Sequence, residues 1–210
     1  MKKILFTLAL LISFSSFGQT AEQYFEMGNE KQDNFDYNGA LADYTKAIEI
    51  NPNYSRAYVN RGDIKVLAGF EDYYGAIADY TKAIEILKDR LTTRLDYIYA
   101  SRAYAKRSLG DNKGAIADYT KAIEINPNDK YSYNAMGLSK FALEDYYGAI
   151  ADYTKAMEIS GVDSKYFDTY AYENRGNAKK KLGDLKGACE DFKKAVDLGS
   201  ISKLFSQNCN

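Results

Sequence analysis

Apolar positions recur along this chain with helical spacing, and one apolar stripe returns five times. In GAIADYTKAIEINPN, from Gly114 to Asn128, Ala115, Ile116, Tyr119, Ala122, Ile123 and Ile125 fall on one face of a helix, with charged residues opposite. The stripe alternates small and large side chains, so a neighbouring helix can approach the alanines while Tyr or Ile fills the adjacent gap. Closely related stretches begin at Gly39, Gly75 and Gly148, and a looser one at Gly187. Upstream of each runs a second amphipathic segment, in which a Tyr stands four residues before a small residue: Gly28, Gly62, Ala103, Gly137 or Gly176. The pattern predicts five helix pairs, at about 21–35 with 38–51, 55–69 with 74–88, 96–109 with 112–125, 130–143 with 147–160 and 169–182 with 185–198.

The motif glycines are 36, 39, 34 and 39 residues apart. With Tyr24, Gly28, Ala40, Tyr44, Ala47 and Pro52 in the first copy, and Tyr99, Ala103, Ala115, Tyr119, Ala122 and Pro127 in the third, the chain resembles the tetratricopeptide repeat family. That resemblance implies an all-α fold, a right-handed α-solenoid of about five repeats over residues 21–54, 55–90, 96–129, 130–163 and 169–202, followed by a tail at 203–210. The copies depart from the family in two ways. Pro is missing from the ends of units two, four and five, and about five extra residues follow units two and four. The usual Leu before the small residue is Arg at 61, 102 and 175, and Met at 27 and 136. An arginine in a seam between helices needs a partner. Each second helix offers an Asp before its aromatic (Asp43, Asp79, Asp118, Asp152, Asp191), and Arg–Asp pairing within or between units is expected.

One helix pair buries too little apolar surface to stand alone, whereas a stack shares one core and leaves extended faces free. In the family, first helices line the concave face. Carrying over its groove positions gives Phe25, Asn29 and Gln32; Arg56, Val59, Asn60 and Asp63; Tyr97, Ala100, Tyr104 and Arg107; Tyr131, Asn134, Leu138 and Phe141; and Tyr170, Glu173, Asn177 and Lys180. The partner-binding candidates among these are Asn29, Arg56, Asn60, Asp63, Tyr97, Tyr104, Arg107, Tyr131, Asn134, Tyr170 and Asn177. Tyr offers apolar area with a hydroxyl at low entropic cost, and Asn can bond a peptide backbone both ways. The expected function is a protein- or peptide-binding scaffold; the alternative is a glycan binder stacking sugar rings on exposed tyrosine faces. Chaperone-binding members of the family grip a carboxylate with a clamp of cations and asparagines. Here the matching positions hold Phe25, Asn29, Asn60, Tyr97 and Ser101, so the cations of that clamp are missing.

Composition narrows the chemistry. The chain has 20 tyrosines and no histidine, which removes imidazole bases, His-activated nucleophiles and His metal ligands. No glycine-rich phosphate loop or metal-spaced cysteine cluster occurs, so neither an enzyme nor a cofactor is expected. Lys plus Arg (28) nearly balances Asp plus Glu (29), which argues against a nucleic-acid partner.

At the N-terminus, Lys2 and Lys3 precede the apolar run from Ile4 to Phe14 and the small residues of SSFG, ending at Gly18. This reads as a signal peptide over 1–18, hence an exported protein, periplasmic or secreted, without a membrane span after cleavage. Cys189 and Cys209 are then a candidate disulfide tying the tail to the last helix. The other reading keeps Cys189 as core and Cys209 at a frayed end.

Overall fold

In the computed structural model the described residues are 19–67, 69–88, 94–159, 164–200 and 209. The expected leader lies outside them. Ten helices run in chain order: α1 Ala21–Asp33, α2 Tyr37–Ile50, α3 Ser55–Lys65, α4 Tyr73–Leu87, α5 Leu95–Ser108, α6 Asn112–Ile125, α7 Lys130–Ala142, α8 Tyr146–Glu158, α9 Ser164–Lys181 and α10 Leu185–Asp197. None of the described helices is long and apolar enough to cross a membrane. The extra residues after unit four add turns to the start of α9, which is 18 residues long.

Each first helix is antiparallel to its second through a short turn with the same construction. A residue in the left-handed region stands just before the second helix's capping residue, in unit two after a longer loop: Phe35 (φ 61°), Glu71 (φ 47°), Gly110 (φ 82°), Glu144 (φ 64°) or Gly183 (φ 81°). An aspartate then caps the second helix by accepting the N–H of the motif glycine: Asp36 from Gly39, Asp72 from Gly75, Asp111 from Gly114, Asp145 from Gly148 and Asp184 from Gly187. The turn therefore starts earlier than periodicity suggested, and α1 stops at Asp33.

Within a unit the second-helix aromatic lies across the small residue of the first helix. A Cβ added at Gly28 would sit 2.6 Å from the Tyr44 ring, and at Gly176 2.5 Å from the Phe192 ring. Tyr44, Tyr80, Tyr153 and Phe192 are fully buried in this way.

The core crosses unit boundaries. Ala40, Tyr44 and Ala47 of unit one pack with Ala57 and Ile64 of unit two, and Tyr80 and Ala83 of unit two with Ile98 and Ala105 of unit three. Ala149 and Tyr153 of unit four meet Ala178 of unit five. First helices of successive units also touch, α5 with α7 and α7 with α9, which places them on the inner side of the stack.

The seam arginines pair as their sequence position demanded. Arg61, Arg102 and Arg175 each grip the second-helix aspartate of their own unit with two hydrogen bonds, to Asp79, Asp118 and Asp191. Their remaining Nη1 donates backwards to Thr45 (3.1 Å), Thr81 (3.0 Å) and Thr154 (2.9 Å) of the preceding unit. A lysine one turn along joins every aspartate: Lys31 with Asp43, Lys65 with Asp79, Lys106 with Asp118, Lys140 with Asp152 and Lys179 with Asp191. Where Met replaces Arg, in units one and four, the lysine is the aspartate's cation. Lys31 and Lys140 come within 2.6 and 2.8 Å of Asp43 and Asp152 but off the line of a good hydrogen bond. Burial consequently pushes the Asp152 carboxyl up, against the pull of Lys140.

Candidate interaction surface on the inner face

The buried tyrosines of the second helices send their hydroxyls towards the inner face, and this decides what the inner-face polar residues do. In unit one the Tyr44 hydroxyl lies 2.9 Å from Asn29 Oδ1 and 2.8 Å from Gln32 Oε1. Asn60 Nδ2 donates to Asn29 Oδ1 at 3.0 Å and reaches the same hydroxyl at 3.3 Å. Asn29 and Asn60 are thus knitted together at the first interface, and a ligand would have to compete for them. In unit two the Tyr80 hydroxyl donates to Asp63 at 2.8 Å. Tyr97 lies beside Asp63 and favours its carboxylate, and Ser101 stands next to both tyrosines. Burial raises the Asp63 carboxyl above its ordinary range despite these neighbours and Arg94 nearby. Burial first, and Asp63 second, push the Tyr97 phenol up to about 12. In unit three the Arg107 guanidinium lies beside the Tyr119 phenol and opposes the upward push of burial on it, while its own Nε is buried without a hydrogen-bond partner.

The aromatic candidates stay open to solvent: Tyr97 is 43% exposed, Tyr104 40%, Tyr131 59% and Tyr170 46%. They are not inter-unit core, unlike the half-buried Tyr58 and Tyr99, over which Arg61 and Arg102 stack. Tyr104 meets Tyr73 at 67° and Tyr131 meets Phe167 at 77°, edge to face rather than as a flat platform. Two groove positions are core instead: Phe25 and Val59 are each only 4% exposed, packed by their own and neighbouring units. Arg56 stands at the rim, paired with Glu22 at 2.9 Å and Tyr54. Asn134 is half-buried, and its Oδ1 has no hydrogen-bond partner.

Three clefts follow the inner face. One of about 330 Å³ holds Gln32, Asp33 and Asp63. The central one, about 600 Å³, brings together Tyr80, Tyr97, Tyr104, Tyr119 and Tyr131 from units two to four, with Asp63, Asp96 and Asp129. The third, about 440 Å³, lies between units four and five, with Leu138, Phe141, Tyr153, Asn174, Asn177, Lys180 and Lys181. The structure thus places Asp63, Tyr97, Tyr104 and Tyr131 in one cleft and Asn177 in another, while Arg56 lines neither. Sequence reasoning missed Tyr153, Asn174 and Lys181. Tyr153 belongs to the repeated motif and so reads as architecture; the signal was Leu138, apolar where the other copies place Asn29, Asp63, Tyr104 and Asn177.

Comparison with known proteins agrees with the architecture. The sequence signature described as "TPR repeat" matches residues 22–69 and 103–143, and the one described as "Tetratricopeptide repeat" matches 131–163 and 169–198. No curated protein matches the chain closely enough to count as a relative. Among solved structures, YrrB, described as a TPR protein with an unusual peptide-binding site, is 21% identical, with a TM-score of 0.75 over 89% of this chain and 90% of its own. MamA from Desulfovibrio magneticus RS-1 is 18% identical, with a TM-score of 0.75 over 86% and 96%. The pilF protein of Pseudomonas aeruginosa is 15% identical, with a TM-score of 0.70 over 90% and 80%. At these identities the likeness speaks for the fold alone. With family signatures spanning more than half of its length and ten helices stacked in pairs, the chain belongs to the tetratricopeptide repeat family.

Proposed function

We propose that this protein is a non-enzymatic scaffold that holds an extended segment of a partner protein along its inner face. The observation that carries this reading is the central cleft, where Tyr97, Tyr104 and Tyr131 from successive units remain exposed around about 600 Å³ of space. Tyrosines supply apolar area and a hydroxyl while giving up little entropy, which suits a peptide lying across several units. A fold neighbour described as having a peptide-binding site adds support. The edge-to-face ring pairs give a sugar no flat stacking platform, so no feature favours the glycan reading. We also infer that the protein works outside the cytoplasm, as a periplasmic or secreted component. The leader-like segment before Gly18 and the pairing of Cys189 with Cys209 support this placement.

Photo-crosslinking tests the inner-face reading. A benzophenone amino acid at Tyr104 should capture a discrete envelope protein, and the same group at Tyr147, 76% exposed on α8, should not. Capture at Tyr147 but not at Tyr104 would move the working surface off the inner face.

A further inference from the structure

In units one and two the tyrosine hydroxyl is hydrogen-bonded from the first helix of its own unit, by Asn29 and Gln32 or by Asp63, and in unit three it has the Arg107 guanidinium beside it. Unit four breaks the pattern. The positions matching Asn29 and Gln32 are Leu138 and Phe141, and the Tyr153 hydroxyl, on a side chain with 0% exposure, has no hydrogen-bond partner. Asn174 occupies the register of Asn60, which bonds the tyrosine hydroxyl of the preceding unit, yet no bond closes between Asn174 and Tyr153. Unit five breaks it in the complementary sense: its aromatic is Phe192, so Asn177 has no hydroxyl of its own unit to serve. Both departures face the same cleft of about 440 Å³.

The charges along the inner face are also divided. The other two clefts hold Asp33, Asp63, Asp96 and Asp129, whereas the described residues lining this one include Lys180 and Lys181 and no carboxylate. Of the other charged side chains on its helices, Lys140 pairs with Asp152, Arg175 and Lys179 with Asp191, and Lys155 with Glu158, while Glu173, one turn before Asn177, accepts from Ser200. A buried hydroxyl left unbonded is a standing cost to the free protein, and a ligand acceptor removes that cost.

We propose that the cleft between units four and five is the anchor for an acidic side chain of the bound peptide. The Tyr153 hydroxyl and the Asn174 amide donate to its carboxylate, Lys181 supplies the opposing charge, and Leu138 and Phe141 take the apolar side chain beside it. The proposal rests on the peptide-binding reading above and adds to it a fixed end and a preferred chemistry.

The test uses fluorescent hexapeptide pools, blocked at both ends, with Leu-Glu, Leu-Gln or Leu-Lys fixed at the centre, titrated into residues 19–210 by anisotropy. The Leu-Glu pool should bind about tenfold more tightly than Leu-Gln, the discrimination expected of charge-assisted hydrogen bonds in a half-closed site. Tyr153→Phe should weaken Leu-Glu binding about tenfold while raising the melting temperature, because it deletes the unbonded hydroxyl. A tyrosine with only a structural role would shift in the opposite sense. Lys181→Gln should weaken Leu-Glu binding and flatten its salt dependence. Equal affinity for Leu-Glu and Leu-Gln, unchanged Leu-Glu binding by Tyr153→Phe, or binding by no pool would each overturn the proposal. If the pools bind without acid preference and Tyr104→Ala abolishes that binding, the acidic anchor falls while the peptide-binding inner face stands.

Discussion

Arg61 holds Asp79 through Nε at 3.0 Å and Nη2 at 2.6 Å while its third nitrogen reaches Thr45 of the unit before. One side chain thus ties both helices of its own unit to a helix of the neighbour. The same three-way contact is made by Arg102 and Arg175, so it is a periodic fastening of the stack.

The contact predicts an asymmetry between its members. Asp118→Ala would strand Arg102 and Lys106 together in a seam where their side chains are 15% and 21% exposed. A loss of about 3–5 kcal/mol is expected, the usual result of breaking a buried pair from one side. Arg102→Met imitates units one and four and leaves Asp118 with Lys106, so it should cost clearly less. Urea denaturation of the two variants checks the order; a greater loss for Arg102→Met would contradict it.

Glu144 adopts φ 64° where the matching turns of units three and five carry Gly110 and Gly183. A side chain in the left-handed region costs about 1–2 kcal/mol relative to the right-handed one. Glu144→Gly should therefore stabilise the protein by about 1 kcal/mol, after the greater freedom of glycine in the unfolded chain is subtracted. A lower melting temperature for this variant would count against the turn geometry.

Asp63 supplies a pH dependence whose sign can be worked out. Burial raises its folded pKa above the model-peptide value of 3.8, so over the interval between the two values the folded protein binds more protons than the unfolded chain. Its contribution to stability is present below the unfolded pKa and is lost as pH rises through the folded one. Asp63→Asn keeps an acceptor for Tyr80 and removes the buried charge. The variant should melt higher than wild type at pH 7, with the gap closing as the pH is lowered towards 3.8. Thermal melts across that range read the effect directly, and a gap that widened in acid would refute it.

Cys189 on α10 is bonded to Cys209, 20 residues further along. Closing a loop of that length contributes about 2–4 kcal/mol in the chain-entropy account. Cys209→Ser should lower the melting temperature, and hydrogen exchange should quicken first in α10. Equal exchange in the two proteins would show that the bridge adds nothing to the last unit.

The fold was legible because each level of the sequence repeats the same instruction. The Ala–Tyr stripe, the small residue under the aromatic and the seam arginines each specify one contact, and five copies remove the ambiguity of any one. Groove function was less legible, since position in a unit does not say whether a polar group is already engaged. Asn29 and Asn60 look like ligand-binding amides, yet they are joined to Tyr44 by three-dimensional neighbours 15 and 16 residues away. Phe25 and Val59 were placed in the groove by family register and are core, because their own and neighbouring units close over them. The lysines at 31, 65, 106, 140 and 179 were visible at one register in all five copies, but an exposed lysine and a seam lysine have the same letter.

Met136 leaves one joint of the stack without its rivet. Between units three and four, Thr120 faces the Met136 sulfur at 3.7 Å, where the other three joints have a guanidinium donating to the threonine. The central cleft straddles that joint, with Tyr97 and Tyr104 on one side and Tyr131 on the other. With no guanidinium bound across that joint, units three and four are fastened there by the apolar packing of Ala103, Ala115 and Tyr119 against Met136, so any opening of the aromatic mouth would break no ion pair.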